Sequence, residues 1–190
     1  MPFWKDAQVA DPKRSFRWIL NLGVKGLSQN ITYICKKVSR PSMEIGEAEH
    51  KFLNHTFYYP GSVTYEKCEV TLVDPANPHS TQQLYNLIQD SGYQLPEFMN
   101  DNVNADVQTN AGTGMASTIS KRLGTTAMNN AVISMLDGDG NTIERITLRN
   151  PWIASVDFGG ELDYETEDLM EITMSIRYDW FEIETINQAI

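Results

Sequence analysis

The sequence is poor in the residues that hold metals and build nucleophilic sites. It contains two cysteines, Cys35 and Cys68, and three histidines, His50, His55 and His79. The histidines lack metal-ligand spacing, and two cysteines make neither a disulfide framework nor a zinc site. Each cysteine falls in a strand-like run, where a buried thiol behaves as a small apolar residue; a disulfide or a reactive thiol is the alternative. We expect no metal and no cofactor.

Motifs for catalysis are also lacking. There is no Gly-x-Ser-x-Gly elbow and no phosphate loop ending in Gly-Lys-Ser/Thr. Residues 137–141 (Asp-Gly-Asp-Gly-Asn) begin like a calcium loop, but Leu148 stands where that loop needs a bidentate glutamate. The acidic run 161–168 could be imagined as paired catalytic carboxylates, yet no aromatic or basic partners surround it, which favours a solvated loop. We expect that the chain is not an enzyme.

Long apolar runs and a secretory signal core are absent as well. No stretch approaches the roughly 18 apolar residues of a membrane helix. The N-terminus is not followed by an apolar signal segment. We therefore expect a protein made and kept in a cytoplasm, with no membrane partner.

Positive charge is scarce overall and unevenly placed. The net charge of −10 argues against wrapping nucleic acid by its phosphates. Residues 1–40 carry eight bases against two acids, whereas residues 137–184 carry thirteen acids against three bases. This asymmetry is typical of a solvated face, but it could also let one copy meet the next head to tail.

Strict alternation is the strongest pattern that is present. From Met170 to Trp180, apolar residues occupy every second position. The positions between them carry Glu171, Thr173, Ser175, Arg177 and Asp179. Eleven residues of alternation predict one β-strand with an apolar and a polar face.

Other strands and one helix follow from shorter patterns. We predict strands over about 16–22, 31–38, 56–59, 68–73, 131–136, 142–148 and 152–158. The turn 137–141 joins the strands 131–136 and 142–148 into a hairpin. A turn is predicted at Pro60-Gly61. Ser80, with Gln83 three residues later, predicts the cap of a helix over about 81–90.

Two stretches have little periodicity. We predict an extended loop at about 41–55 and a polar insertion at about 93–128, with a short helical turn near 117–123. The whole chain, 1–190, is then expected to form a single domain. The expected fold is mainly β: an antiparallel β-barrel or sandwich with one packed α-helix and long loops.

The order of these features resembles the tail tube proteins of contractile-tailed (myovirus-type) bacteriophages. The blocks that carry the resemblance are Trp152-Ile153, Leu162-Asp163-Tyr164 and the run from Tyr178 to Phe181. It covers about residues 14–184 in order and is weakest over 93–128.

The resemblance implies a structural virion protein of the phage tail, assembled in the host cytoplasm. Its subunits would form hexameric rings whose sheets merge into one barrel. The rings would stack into a tube inside a contractile sheath. Partners would be other copies of itself, the sheath protein, the tape measure protein, and the baseplate and tail terminator proteins. DNA would pass through the lumen during ejection without specific binding.

Two surfaces follow as hypotheses. The stretch 41–55, with Met43, Glu44, Ile45 and Glu47, is a candidate arm reaching an adjacent ring; an ordinary loop folded back on its own domain is the alternative. The polar face of the C-terminal strand (Glu171, Thr173, Ser175, Arg177 and Asp179) is a candidate lumen wall.

Three rival functions stay open. A ring or tube protein of a bacterial secretion or contractile injection system would share the fold, and a tube-like baseplate component is a close variant. A monomeric β-barrel that binds a ligand belongs to a different class, and it predicts a compact monomer with a sizeable apolar pocket.

Overall fold

A computed structural model describes residues 12–23, 34–75, 79–93, 119–160, 162–165 and 167–186. Ten strands and two helices lie in these ranges. The strands are β1 Trp18–Leu22, β2 Cys35–Val38, β3 Met43–Phe52, β4 His55–Tyr65, β5 Cys68–Val73, β6 Ala131–Leu136, β7 Thr142–Arg149, β8 Trp152–Asp157, β9 Glu171–Arg177 and β10 Trp180–Thr185. The helices are α1 Ser80–Asp90 and α2 Lys121–Met128.

Eight of the strands form two antiparallel sheets around one core. Sheet A has the order β1-β6-β7-β10, and sheet B has the order β2-β5-β9-β8. The buried cluster draws side chains from both sheets and from both helices, including Leu20, Val70, Leu84, Met128 and Ile146. The expectation of a mainly antiparallel β fold is therefore confirmed.

The C-terminal alternation corresponds to two strands rather than one. Ile172, Met174, Ile176 and Tyr178 are buried, as the pattern predicts. The chain then leaves sheet B: the Asp179 amide donates to the Arg149 carbonyl, and β10 pairs with β7 in sheet A. The prediction of a single strand from 170 to 180 is wrong, because the alternation continues across a change of sheet.

Helix α1 confirms the predicted helix but not its predicted cap. Ser80 lies inside the helix, and its buried hydroxyl has no hydrogen-bond partner among the described residues. The neighbouring Thr81 hydroxyl donates to Asp74 at 2.6 Å and ties the helix start to the end of β5. Leu84 and Leu87 supply the buried stripe.

A second helix corrects the expectation of one. Helix α2 begins after Ser120, whose hydroxyl accepts the Leu123 amide at 3.2 Å. The buried Gly124 lets it approach the sheet, because a Cβ there would stand 3.3 Å from the Cβ of Trp152. The end of the predicted polar insertion is thus ordered and packed, whereas residues 94–118 lie outside the described part of the chain.

The predicted hairpin between β6 and β7 is confirmed. The Asp137 carboxylate accepts the amides of Asp139 and Asn141 at 2.9 and 2.8 Å. These bonds lower the pKa of Asp137, and Gly140 supplies a φ of 85°. Residues 137–141 therefore form a turn that is stabilised by hydrogen bonds among its own residues.

The remaining predicted strands are present with shifted ends. The strand predicted over 16–22 begins at Trp18, and the strand predicted over 152–158 ends at Asp157. The strand predicted over 31–38 covers Cys35–Val38 within the described residues. Residues 31–33 of this predicted strand lie outside the described ranges. No helix in the described ranges is long and apolar enough to span a membrane.

Candidate assembly surface

Strands β3 and β4 form a long hairpin where a loop was predicted; we call residues 43–65 the arm. They pair antiparallel from Met43 opposite Tyr65 to Phe52 opposite His55, and Leu53 turns the chain with a φ of 52°. The predicted loop at 41–55 and the predicted turn at Pro60-Gly61 are both wrong. The arm buries neither face against the body, so its sequence lacks the alternation that reveals a half-buried strand.

A β-bulge explains why the Pro-Gly pair does not end β4. The register shifts between Ile45 and Glu47, so extra residues of β4 lie opposite Gly46. The backbones are close there, because a Cβ on Gly61 would stand 3.0 Å from the Gly46 carbonyl oxygen. The Pro-Gly signal marks a bend within the arm rather than its end.

The arm stands clear of the rest of the molecule. Every residue from Glu47 to Thr64 is exposed. Ten residues of strand extend about 30 Å. A lone two-stranded hairpin is marginally stable in water, so the arm is suited to being covered by another surface.

The outer half of the arm has two different faces. Paired residues lie on the same face, and successive pairs alternate between faces. One face carries three exposed aromatic side chains, Phe52, Phe57 and Tyr59. The opposite face carries Glu49 and Lys51, which form an ion pair at 3.0 Å, together with the exposed Tyr58. Exposed aromatic side chains beside charged ones are typical of a protein–protein contact.

Three aromatic rings hold the base of the arm. Tyr65 makes edge contacts with Tyr178 and Phe181, with ring centroids 6.1 and 5.7 Å apart. The Tyr178 hydroxyl donates to the Ser42 carbonyl at 3.4 Å, and burial raises the pKa of Tyr178. Because Tyr178 follows sheet B and Phe181 belongs to sheet A, the arm is attached where both sheets meet.

A buried carboxylate holds the strand that enters the arm. Glu144 on β7 is 5% exposed and forms ion pairs with Arg40 and Lys13. Arg40 lies three residues before β3. The Glu144 pairs therefore connect sheet A, the N-terminal segment and the arm.

The structure places the predicted arm residues together on the inner half of β3. Met43 and Ile45 are 55% and 53% exposed, and Glu44 and Glu47 are exposed beside them. The outer aromatic residues were missed, because Thr56–Tyr59 was assigned to a separate short strand.

The structure brings together only some of the five residues predicted to line a lumen, a set that we call the β9 polar face. Thr173, Ser175 and Arg177 lie on the outer side of sheet B, and Glu171 pairs with Lys36. Asp179 lies beyond β9. The sequence-based prediction that this face lines a lumen stays a prediction.

Asp179 instead connects β10 to helix α2. Its carboxylate accepts from Lys121 at 2.6 Å and from Asn150 at 2.8 Å. These two donors lower the pKa of Asp179. The start of α2 is thereby fixed beside the connections from β7 to β8 and from β9 to β10.

A second polar sheet face was missed by the sequence reasoning. On the outer side of sheet A, Arg149 pairs with Glu182 at 2.5 Å and Arg145 with Glu184 at 3.9 Å. The hydrogen bond from Arg149 is the main cause of the lowered pKa of Glu182. Alternation in β7 and β10 could have revealed this face had β10 been recognised as a separate strand.

The described residues contain no group of three or more His, Cys, Asp or Glu side chains that could hold a metal ion. The two cysteines are free, and burial raises the pKa of Cys35 to about 12 and also raises that of Cys68. The exposed arm and the polar outer faces of sheet A and sheet B are the candidate surfaces for contact with other molecules.

Comparison with known proteins shows the fold. No family model matches the chain, and no curated protein matches it. A chain in the cryo-EM structure of the anti-feeding prophage tube-terminating cap matches with a TM-score of 0.60 and 14% identity, over 96% of this chain and 97% of that one. A chain in the anti-feeding prophage baseplate structure matches with a TM-score of 0.58 and 13% identity, over 94% and 99%.

A third match extends the likeness to another particle. A chain in the sheath–tube complex of the PVC extracellular contractile injection system matches with a TM-score of 0.55 and 16% identity, over 94% of this chain and 95% of that one. These matches cover nearly the whole chain at low identity. The fold implied by the sequence resemblance is therefore confirmed: it is shared with components of contractile injection systems.

Proposed function

We propose that this chain is a structural subunit that assembles with copies of itself into stacked rings, forming the inner tube of a contractile tail or injection particle. The observation that carries the proposal is the arm: about 30 Å of hairpin with exposed aromatic side chains that the described part of the chain leaves uncovered. A monomer gains nothing from such an arm, whereas a stacked assembly would cover it.

The inner half of the arm would contact the adjacent ring. Met43 and Ile45 offer apolar surface, and Glu44 and Glu47 offer charge that can meet the basic N-terminal part of another copy. The anchored base favours this role, because a fixed arm loses little conformational freedom when it docks.

The channel wall would be a polar sheet face. The sequence-based candidate is the β9 polar face, and the outer side of sheet A is the second candidate. Either face carries both acidic and basic side chains, and the chain as a whole is strongly acidic. Like charge discourages passing nucleic acid from sticking, so we propose DNA as the cargo of a phage tail tube.

The hexameric state, the phage origin and the sheath, tape measure, baseplate and terminator partners belong to this proposal. The alternative is the tube or ring protein of a bacterial injection or secretion system, which the likeness to injection-system components favours equally. Neighbouring genes separate the two. A tape measure gene beside capsid genes indicates a phage, and effector genes without capsid genes indicate an injection system.

Mass photometry of the purified chain tests the proposal against a monomeric ligand-binding barrel. The expected result is a population at six times the 21.5 kDa subunit mass, with higher multiples as concentration rises. A single monomeric species at every concentration and salt condition would refute the proposal.

A further inference from the structure

We infer that the outer half of the arm docks on a neighbouring copy with the imidazoles of His50 and His55 neutral, so that mild acid takes the stacked rings apart. This inference rests on the proposed stacking of rings and names a condition that regulates it. It starts from the three histidines of the chain. Two lie near the tip of the arm, and the third, His79, lies outside it, directly before helix α1.

Pairing places both histidines on the face of the outer arm that carries Phe52, Phe57 and Tyr59. His50 lies opposite Phe57, and His55 lies opposite Phe52. The two pairs are two residues apart along each strand, so their four side chains share one face. The histidines occupy diagonal positions, with Cα atoms about 7–8 Å apart, and a phenyl ring stands at each of the other two corners. Both imidazoles are therefore exposed within an aromatic patch.

In the outer half of the arm, no carboxylate shares this face with the histidines. Glu47 and Glu49 lie on the opposite face, together with Lys51. Tyr59 is the other titratable side chain on the histidine face of the outer arm. Described residues from other elements leave the face exposed. Covering it would therefore remove water from two imidazoles that have aromatic neighbours and no partner of opposite charge within the outer arm.

The surface that receives the arm adds to the cost of a charged imidazole. In the proposed stack the arm meets the basic N-terminal part of another copy, where residues 1–40 carry eight bases against two acids. A protonated imidazole would meet like charge there, which disfavours association. A neutral imidazole keeps one donor and one acceptor and avoids this repulsion. Docking is therefore favoured at neutral pH and lost as the pH falls.

The change of charge falls in a range of pH that the assembly can be tested in. Histidine is the side chain whose ordinary pKa, about 6.5, gives a change of charge between pH 5 and 8. At pH 5.5 about one ordinary imidazole in ten is neutral. The concentration needed for docking then rises about tenfold for each histidine that must be neutral.

The protein concentration at which hollow rods appear tests the inference. It is measured by negative-stain electron microscopy at pH 7.5 and pH 5.5 and at equal ionic strength. The wild-type chain is compared with the double variant His50→Gln and His55→Gln, whose replaced side chains are neutral at both pH values. The matched control is His79→Gln, which removes the third histidine and leaves the arm unchanged. Mass photometry records in parallel whether rings are present.

We expect the wild-type chain and His79→Gln to need at least about tenfold more protein to form rods at pH 5.5 than at pH 7.5. The double variant should need nearly the same amount at both. The single variants His50→Gln and His55→Gln should each keep part of the response. Rings should be present at both pH values, because the arm joins one ring to the next.

Equal responses of the wild-type chain and the double variant, or wild-type rods that form as readily at pH 5.5, would overturn the inference and leave ring stacking standing. If the double variant forms no rods at pH 7.5, single variants that both respond as fully as wild type would overturn it as well. Absence of rings and rods at both pH values would overturn the proposed function and the inference together.

Discussion

At the scale of single residues, the buried carboxylate of Glu144 connects parts of the chain that lie far apart in the sequence. It lies on β7 and binds Arg40 before the arm and Lys13 in the N-terminal segment. A buried carboxylate with two cationic partners is stabilising only while both the charge and the geometry are kept.

Replacing Glu144 by glutamine should lower the free energy of unfolding by about 1–3 kcal/mol, because the shape is kept while two charge-assisted bonds are weakened. Chemical denaturation measures this. The control is Glu69→Gln, an exposed glutamate on β5, which should change stability by less than about 0.5 kcal/mol. Equal effects of the two substitutions would contradict the role given to Glu144.

The two thiols yield a prediction about pH. Desolvation is the main cause of the raised pKa of Cys35, about 12, and of the raised pKa of Cys68. Little thiolate exists at pH 8, so both should react slowly with a thiol reagent in the folded protein and rapidly in denaturant. A raised thiol pKa contributes stability below the ordinary thiol pKa, and this contribution is lost as the pH rises through the folded value. Reaction of the folded chain at the rate of free cysteine would contradict the desolvation assigned to these two thiols.

At the scale of elements, the strands and the helix that bury one side could be predicted from the sequence. The β6–β7 hairpin, β5 and α1 follow from alternation, turn residues and helical spacing. The C-terminal alternation predicted the correct buried face at Ile172, Met174 and Ile176. It could not reveal the change of sheet after Tyr178, because a strand crossing between packed sheets keeps its apolar side towards the same core.

The arm and α2 were not predictable for opposite reasons. The arm has no buried face, so Met43–Phe52 reads as an irregular loop. Helix α2 is short and contains Gly124, a poor helix former that is required for its close approach to Trp152. In neither case does the local sequence show the deciding feature, which is the absence of a buried face for the arm and the approach to Trp152 for α2.

The arm carries a prediction of its own. Reversing Glu44 and Glu47 to lysine should raise the concentration needed for ring stacking about tenfold or more, equivalent to about 1.4 kcal/mol, through lost charge complementarity. Thermal unfolding should change little, since both side chains are exposed. Light scattering follows the stacking.

The matched control for the arm is the reversal of Glu165 and Glu167, which changes the net charge equally in the exposed connection between β8 and β9. This control variant should stack at a concentration closer to the one that the wild-type chain needs. If both double variants stack alike, the effect belongs to net charge and the arm loses its proposed role.

At the scale of the whole molecule, the fold combines a closed core with open surfaces. The core between the sheets is complete within one copy. The arm and the open strand edges of the two sheets are left unused by a monomer within the described residues. Each is used if copies join side by side and stack head to tail.

Negative-stain electron microscopy of the purified full-length chain tests this central claim most directly. The account predicts six-fold rings, and hollow rods as the protein concentration is raised. A field of single small particles at every concentration, from a chain shown by circular dichroism to be folded, would contradict it.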